Sequence, residues 1–496
     1  MANSKLQRPN VVFIGTDQMR QDLLGCYGNQ ICKTPNIDKL AKEGTIFTNA
    51  YTNCTLCTPA RASIFTGKYA FNHGMLTNCD MYHSVSKELT NPDELLHYKL
   101  QEKGYDTIYL GKWHVGTELG PGDYGFKGLN IPGYGDLKKE KKYQDYLKEN
   151  DLSFGPVQAP IYGNPDENTL LAGKWNGPEE STPTYFLAEQ TRKLLQKYAS
   201  KDAPFFLSCQ FWAPHPPYLP APEYVNTHNR EDILPWKNFT DDFTKKPTRV
   251  KRLVTDFYRS LPEDWEQWRE IVGLYYDFTA MLDKQIGHIL ETLKKLNLME
   301  NTIIILTSDH GDNAGSHGGH FDKALLYQED IKIPLIIYWP DNLDMVNEND
   351  DLIYNMDVIP SILDLLNIPA PGIDAQSFIP LIDNNKKSKG RDSIYFEFHG
   401  LKYLYSQRAL ITEEGYKYIF TPGDIDEVYN LNNDPGEMNN LIDNEDFKSK
   451  IKELQTKMIR KSKALGDPLS DCISKFFGSW ENLSSQPDVS SDDNLS

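Results

Sequence analysis

The sequence predicts an α/β fold: a large, mostly parallel sheet between helices, followed by a smaller C-terminal α+β subdomain. Three observations carry this. Short apolar runs of strand length alternate with helical patterns through most of the chain, the texture of an α/β sheet. Four of those runs are followed directly by reactive polar side chains, and open α/β sheets bind ligands beyond the carboxyl ends of their strands. After about residue 375 the pattern changes to short strands joined by Gly-bearing turns, then a charged helix.

In chain order, Asn10–Gly15 (NVVFIG) reads as a strand buried on both faces. Thr34–Gly44 reads as a helix, with Thr34 as N-cap, Pro35 at the first helical position and Gly44 as its stop; Ile37, Leu40 and Ala41 share its apolar side. Thr58-Pro59 with Gly67 beyond marks a short helix that has Cys57 at its N-terminal edge. Further strands are predicted at Thr107–Leu110, Phe205–Phe211, Thr302–Thr307 and Ile333–Tyr338, and helices at Tyr185–Ala199 and Trp265–Leu296. Strands at Ser393–Phe398, Ala409–Thr412 and Tyr416–Phe420 precede a helix near Asp446–Ala464. These divide the chain into a catalytic domain over 1–375, a subdomain over 376–483 and a polar, acidic, disordered tail over 484–496. The segments Gly116–Asn176 and Trp212–Trp236, with His399, are expected at the pocket rim.

Composition narrows the function classes. The 496 residues carry 52 Lys+Arg against 70 Asp+Glu, a net charge of −18, with 39% hydrophobic and 25% charged residues. That excludes a disordered chain, a collagen-like fibre and a small disulfide scaffold. The acidic balance repels nucleic acid and anionic membrane surfaces, so neither is expected as a partner. The longest apolar stretches, Ile303–Leu306 and Leu335–Trp339, are far shorter than the roughly 18 residues of a spanning helix. Met1–Asn10 shows no signal-peptide core, and seven cysteines, an odd number, suit a reducing compartment. The expectation is a cytoplasmic enzyme.

The residues beyond the strands suggest its chemistry. Asp17 and Gln18 follow the first strand, Lys112 and His114 the second, and His215 the third; Asp309 and His310 follow the fourth, with His317, His320 and Lys323 further on. Each taken singly reads more readily as an ordinary loop residue; four strand ends together carry the argument. Asp17, Asp309 and His310 make a divalent-cation site of mainly oxygen donors, suited to Ca²⁺, Mg²⁺ or Mn²⁺ rather than to a zinc thiolate centre. Lys112, His114, His215 and Lys323 would then supply anion contacts and proton transfer. Cys57 sits where a helix N-terminus favours negative charge, as a nucleophile or beside a bound anion. The alternatives are a small buried residue, or half of a Cys54-x-x-Cys57 pair for which the sequence has no second Cys-x-x-Cys. His317 reads as a substrate contact or as part of a loop shaped over Lys323, and His320 more as the latter.

Cys57-Thr58-Pro59-Ala60-Arg61, followed by Phe65-Thr66-Gly67, resembles the Cys-x-Pro-x-Arg signature of the formylglycine-dependent (type I) sulfatases. Asp17, the Thr34–Leu40 helix start, Gly111–His114, Pro214–Pro217, Ser308–Asp312 and Tyr429–Glu437 match other motifs of that family in its order, spanning residues 9–445. The resemblance implies an alkaline-phosphatase-like fold and hydrolysis of a sulfate monoester, an aryl sulfate or a sulfated small molecule or saccharide. It also implies a maturation partner, the formylglycine-generating enzyme, that oxidises Cys57 to formylglycine (3-oxoalanine). One hydroxyl of the hydrated aldehyde attacks sulfur, and the other expels sulfate. Carried over by position, Asp17, Gln18, Cys57, Asp309 and His310 hold one metal ion, usually Ca²⁺. Arg61 and His114 support the diol, with His114 as the base for its breakdown, while Lys112, His215 and Lys323 grip the sulfate, and His215 or Lys323 assists the leaving group. Two positions depart from the commoner pattern: Gln18 in place of Asp, and Ala60 in place of Ser. Gln beside this Asp, with His310, also occurs in phosphonate monoester and phosphodiester hydrolases of the same superfamily, which often use Mn²⁺; they are the alternative reading.

Overall fold

The computed structural model describes residues 8–155, 157–164, 169–252, 261–340, 344–386, 388–401 and 405–483. At its centre lies an eight-stranded sheet. In chain order its strands are β1 (Asn10–Asp17), β2 (Thr45–Phe47), β3 (Asp106–Gly111) and β4 (Lys127–Gly128). β5 (Phe205–Pro214), β6 (Thr302–Ser308), β7 (Leu335–Tyr338) and β8 (Glu348–Asn349) complete it. Across the sheet they run β8-β2-β7-β6-β1-β5-β3-β4. β7 runs antiparallel to both β6 and β2, and the other pairings are parallel.

The register shows why β1 is apolar without alternation. Val11 lies between Phe206 and Ile303, and Ile14 between Cys209 and Leu306, all of them buried. Val12 and Ile14 face one layer of helices, α1 (Pro35–Glu43), α3 (Pro183–Tyr198) and α4 (Trp265–Lys295). Val11 and Phe13 face the other, with α2 (Cys57–Thr66) and α5 (Val358–Leu365). Each such side chain taken from water contributes about 1.5–3 kcal/mol, so a strand covered on both faces holds the sheet most firmly at its middle.

The predicted elements appear with ends shifted by a few residues. α3 is capped by Thr182, whose hydroxyl accepts from the Tyr185 amide at 3.2 Å, and α4 by Asp264, which accepts from the Gln267 amide at 2.9 Å. Gly44 does end α1, for a different reason than a left-handed turn. Its backbone is extended, and a Cβ there would lie 2.4 Å from the Ile337 carbonyl oxygen, so glycine lets β7 approach closely.

The C-terminal region is a four-stranded antiparallel sheet in the order β9 (Ser393–Phe398), β10 (Gln407–Thr412), β11 (Tyr416–Phe420), β12 (Glu427–Asn430). β12 is too short and polar to stand out in sequence. α6 (Lys448–Ala464) covers the sheet through Leu454 and Met458. β9 also props the segment around α2: the Glu397 carboxylate accepts from the Phe71 amide at 3.1 Å and from Asn53 Nδ2 at 3.2 Å. The expected tail, 484–496, lies outside the described residues. No helix among the described residues is long and apolar enough to cross a membrane.

Candidate active site

The four strands whose ends carry reactive residues are neighbours in the sheet, in the order β6, β1, β5, β3. Their carboxyl ends therefore bring Asp309 and His310, Asp17 and Gln18, His215, and Lys112 and His114 to one place. α2 delivers Cys57 there as its first residue. The loop after β6 delivers Lys323. Two of these residues, Gln18 (φ 63°) and His114 (φ 56°), hold left-handed backbone conformations that non-glycine residues adopt rarely and mostly at functional sites.

Ligand atoms of Asp17, Cys57, Asp309 and His310 all lie within 4.8 Å of one another, and all four residues are buried. Cys57 Sγ is 3.2 Å from His310 Nε2 and 3.8 Å from Asp17 Oδ1. Asp309 is fixed by the amides of Gln18 (3.1 Å) and His310 (2.9 Å) on Oδ1 and by Arg61 Nε (2.9 Å) on Oδ2. Burial, and then the charge of Asp17, raise the Asp309 carboxyl above its ordinary range. Burial opposes charge on His310, yet Asp309 and Cys57 push its imidazole up to about 9. Two carboxylates and an imidazole converging on one buried point fit a divalent cation, which would relieve the repulsion between the acids.

Gln18 shares this pocket with its amide orientation specified. Nε2 donates to Asp312 Oδ2 (2.9 Å) and Asp322 Oδ1 (2.7 Å), which leaves Oε1 to accept from Lys323 Nζ at 2.7 Å. Lys323 Nζ also lies 2.9 Å from His215 Nε2 and 3.0 Å from Asp322 Oδ1. The Lys112 ammonium pairs with Asp17 and stands 4.2 Å from the ring centre of Tyr134. Arg61 Nη1 donates to the Lys112 carbonyl at 2.9 Å and to Gln210 Oε1 at 3.3 Å. Burial disfavours a thiolate at Cys57, but Lys112, Lys323 and His310 outweigh it and hold the thiol well below its ordinary range. The place occupied by residue 57 is thus built to stabilise negative charge. His114 Nε2 contacts Asp80 Oδ1 at 3.1 Å; against burial, Asp80, Cys57 and Cys79 push its imidazole up to about 10.

The structure does not bring His317 to this pocket, contrary to its reading as a substrate contact. Its Nδ1 meets Asp241 Oδ2 at 2.8 Å, its Nε2 meets Glu329 Oε2 at 3.1 Å, and its ring stacks on Tyr327 at 4.2 Å, so both nitrogens and a face are occupied. His320 is buried, and His399 is held against Glu397 at 2.8 Å at the foot of the C-terminal sheet rather than at a rim. Sequence reasoning missed Gln210, Asp80, Asp312, Asp322 and Tyr134. Asp312 closes the recognised Ser308–Asp312 motif and Asp322 precedes Lys323, which was a usable signal; Gln210 is hidden inside an apolar strand and Tyr134 inside a long loop.

The comparisons agree with this geometry. The family model described as Sulfatase matches residues 9–368, and that described as N-sulphoglucosamine sulphohydrolase, C-terminal, matches residues 315–464. An ulvan-active sulfatase of Formosa agariphila is 30% identical over 468 residues, covering 93% of this chain and 82% of its own. An arylsulfatase of Clostridium perfringens is 30% identical over 474 residues, covering 91% and 94%. Among solved structures, a phosphonate monoester hydrolase of Agrobacterium radiobacter superposes with a TM-score of 0.77 at 22% identity, covering 92% of this chain and 96% of that one. A protein solved in complex with its substrate D-glucosamine-2-N,6-O-disulfate gives 0.72 at 23%, covering 94% and 99%. With the Sulfatase model matched over residues 9–368 and relatives 30% identical over nine-tenths of its length, the chain belongs to the sulfatase family of sulfuric ester hydrolases.

Proposed function

We propose that the protein hydrolyses a sulfate monoester, an aryl sulfate or a sulfated sugar, using formylglycine formed from Cys57 at a divalent metal. The observation that carries this reading is the position of Cys57. It opens α2, with ligand atoms of Asp17, Asp309 and His310 within 4.8 Å and with Lys112 and Lys323 acting on its charge. The hydrated aldehyde supplies one hydroxyl to take the sulfuryl group and a second to release it. The cation, Ca²⁺ foremost with Mn²⁺ or Mg²⁺ as substitutes, would be held by Asp17, Asp309, His310 and residue 57, joined by Gln18 where its Oε1 exchanges the Lys323 ammonium for the ion, and would supply Lewis-acid polarisation.

The protein's own groups do the rest. Lys112 and Lys323 hold the sulfate oxygens and offset the charge that builds in the transition state. Arg61 keeps Asp309 and the Lys112 backbone in place. Asp80, 3.1 Å from His114 Nε2, fixes the orientation of the imidazole that this reading assigns to breakdown of the sulfated diol. Lys323, whose ammonium donates to His215 Nε2 at 2.9 Å, and His215 are the pair placed to assist the departing oxygen. A formylglycine-generating enzyme is the partner this reading needs, and a reducing cytoplasmic compartment suits seven free cysteines.

Gln18 favours a second reading, a phosphonate monoester or phosphodiester hydrolase, because an amide in place of a carboxylate lowers the negative charge at the metal. Turnover of 4-nitrophenyl sulfate, phenyl phosphonate and bis(4-nitrophenyl) phosphate, after co-expression with a maturation enzyme, separates the two. Sulfate ester hydrolysis with the highest kcat/KM is expected; preference for the phosphonate or diester would replace the first reading with the second.

A further inference from the structure

Beside the sulfate-binding residues lies a cavity of about 410 Å³. It begins at His215 and Tyr134 and is walled further in by Leu137, Phe154, Trp175, Trp212 and Phe278. His215 belongs to both places, since its Nε2 contacts Lys323 in the anion pocket. Tyr134 is the shared wall. One side of its ring meets Lys112 (4.2 Å), His114 (5.4 Å) and His215 (5.6 Å), and it remains 37% exposed. Gly133 (φ 63°) and Gly135 (φ 84°) flank it in left-handed conformations, and a Cβ on Gly135 would come within 2.9 Å of Trp212, so the loop presents this ring at the mouth of the site.

The indoles are arranged to offer their faces. Trp175 Nε1 donates to Ser181 Oγ at 2.8 Å and Trp212 Nε1 to the Tyr134 carbonyl at 2.9 Å, so their polar edges are satisfied within the protein. Phe154 packs edge-on to Trp175 at 4.9 Å. The charged side chains of the lining besides His215 are Asp136 and Lys138. Asp136 pairs with Lys139 at 3.2 Å, and the Lys138 ammonium rests 5.0 Å from the Phe154 ring centre. A ligand bearing several further sulfates would find one ammonium here, Lys138, itself resting against Phe154, whereas a flat uncharged ring would find aromatic walls.

We propose that this cavity is the leaving-group subsite, with Tyr134 as the specificity-determining wall, and that the group it takes is an uncharged aromatic ring. The inference rests on the sulfate ester reading above, because the ring is reached from the sulfate through His215. It narrows the candidates left open there: an aryl sulfate fits, and among sulfated sugars those bearing several further sulfates do not.

The test pairs kinetics with a binding measurement that needs no turnover. Wild-type protein, Tyr134→Ala and Phe154→Ala are assayed on 4-nitrophenyl sulfate, with inorganic sulfate as a competitive inhibitor that fills the anion pocket alone. Each variant is expected to raise KM about tenfold, the scale of one lost aromatic contact, while in Phe154→Ala, which touches no sulfate-binding group, the inhibition constant of sulfate stays within twofold. Wild-type protein is also expected to bind 4-nitrophenol in calorimetric titration, and both variants to lose that binding. If sulfate esters are hydrolysed but 4-nitrophenol does not bind and KM is unmoved in both variants, the subsite is wrong and the sulfatase reading stands. If 4-nitrophenol binds and no sulfate ester is hydrolysed, the ring site stands and the reaction must be reassigned. A lower KM for D-glucosamine-2-N,6-O-disulfate than for 4-nitrophenyl sulfate would also overturn the proposal.

Discussion

Gln18 illustrates how a single residue is specified by its surroundings rather than by its family. Asp312 and Asp322 both accept from its Nε2, so an amide satisfies them and a carboxylate would oppose them. Asp312 is already raised to about 6, chiefly by burial and then by the charge of Asp322. Gln18→Glu would place a third acid against two, so it should cost about 3 kcal/mol of stability, which urea unfolding at pH 7.5 would measure. An unchanged midpoint would mean that the two acids do not select the amide. A second residue-scale prediction concerns His97, far from the pocket. Burial outweighs its hydrogen bond to the Tyr124 carbonyl and lowers the imidazole to about 4, from an ordinary value of 6.5. A folded pKa below the unfolded one gives stability that is complete above pH 6.5 and lost as pH falls toward 4. Between pH 7.5 and 5.0 His97 alone should therefore cost the wild type about 2 kcal/mol that His97→Gln does not lose. Comparing unfolding free energies of the two proteins at both pH values checks it.

At the scale of elements, the loop after β6 carries Lys323 and is held from two sides. Glu437, which closes the Tyr429–Glu437 motif, accepts from the Gln328 amide at 2.6 Å and from the buried Lys417 Nζ at 2.5 Å. Close by, His317 joins Asp241 and Glu329, and Lys246 pairs with Asp241. Here His317, Glu329 and Glu437 converge closely enough to suggest a metal site, but Lys417, Lys246 and Arg20 already supply its cations. It is an ionic clasp between the catalytic loop and the C-terminal sheet. Glu437→Ala should cost about 4 kcal/mol by stranding Lys417, and Glu437→Gln less, because the amide keeps an acceptor for Gln328. Thermal unfolding of both variants distinguishes this from a surface role, in which neither would shift. The strand ends were legible because long apolar runs stop abruptly at acids, histidines and lysines, and parallel neighbours then align those stops. The Cys57 helix was legible through Thr58-Pro59 and Gly67. His317 was misplaced because spacing from Lys323 says nothing of direction, and the backbone at His317 (φ 46°) turns the ring toward Asp241. The hairpin of Val157–Asn164 and Thr169–Trp175 has no clean alternation, so only its place near the pocket could be expected.

For the whole molecule, a net charge of −18 coexists with a site that gathers Arg61, Lys112, Lys323 and a proposed cation within the sheet's edge. Exposed charges are screened beyond about 8 Å at physiological salt, so the surface governs solubility and the buried pocket governs the substrate. The same burial couples the cation to folding. A chelator should lower the thermal midpoint by a few degrees, and Ca²⁺ or Mn²⁺ at about a hundred times its dissociation constant should restore about 2.7 kcal/mol. A midpoint insensitive to both would mean that Asp17, Asp309 and His310 hold no metal. The most direct test of the central claim is the mass of tryptic peptide 43–61, taken from protein co-expressed with a maturation enzyme and hydrolysing 4-nitrophenyl sulfate. The peptide is predicted to be lighter by H₂S exchanged for O at Cys57, with activity rising in proportion to that fraction and absent in Cys57→Ala. Full sulfate ester turnover by protein whose Cys57 remains an unmodified thiol would contradict it.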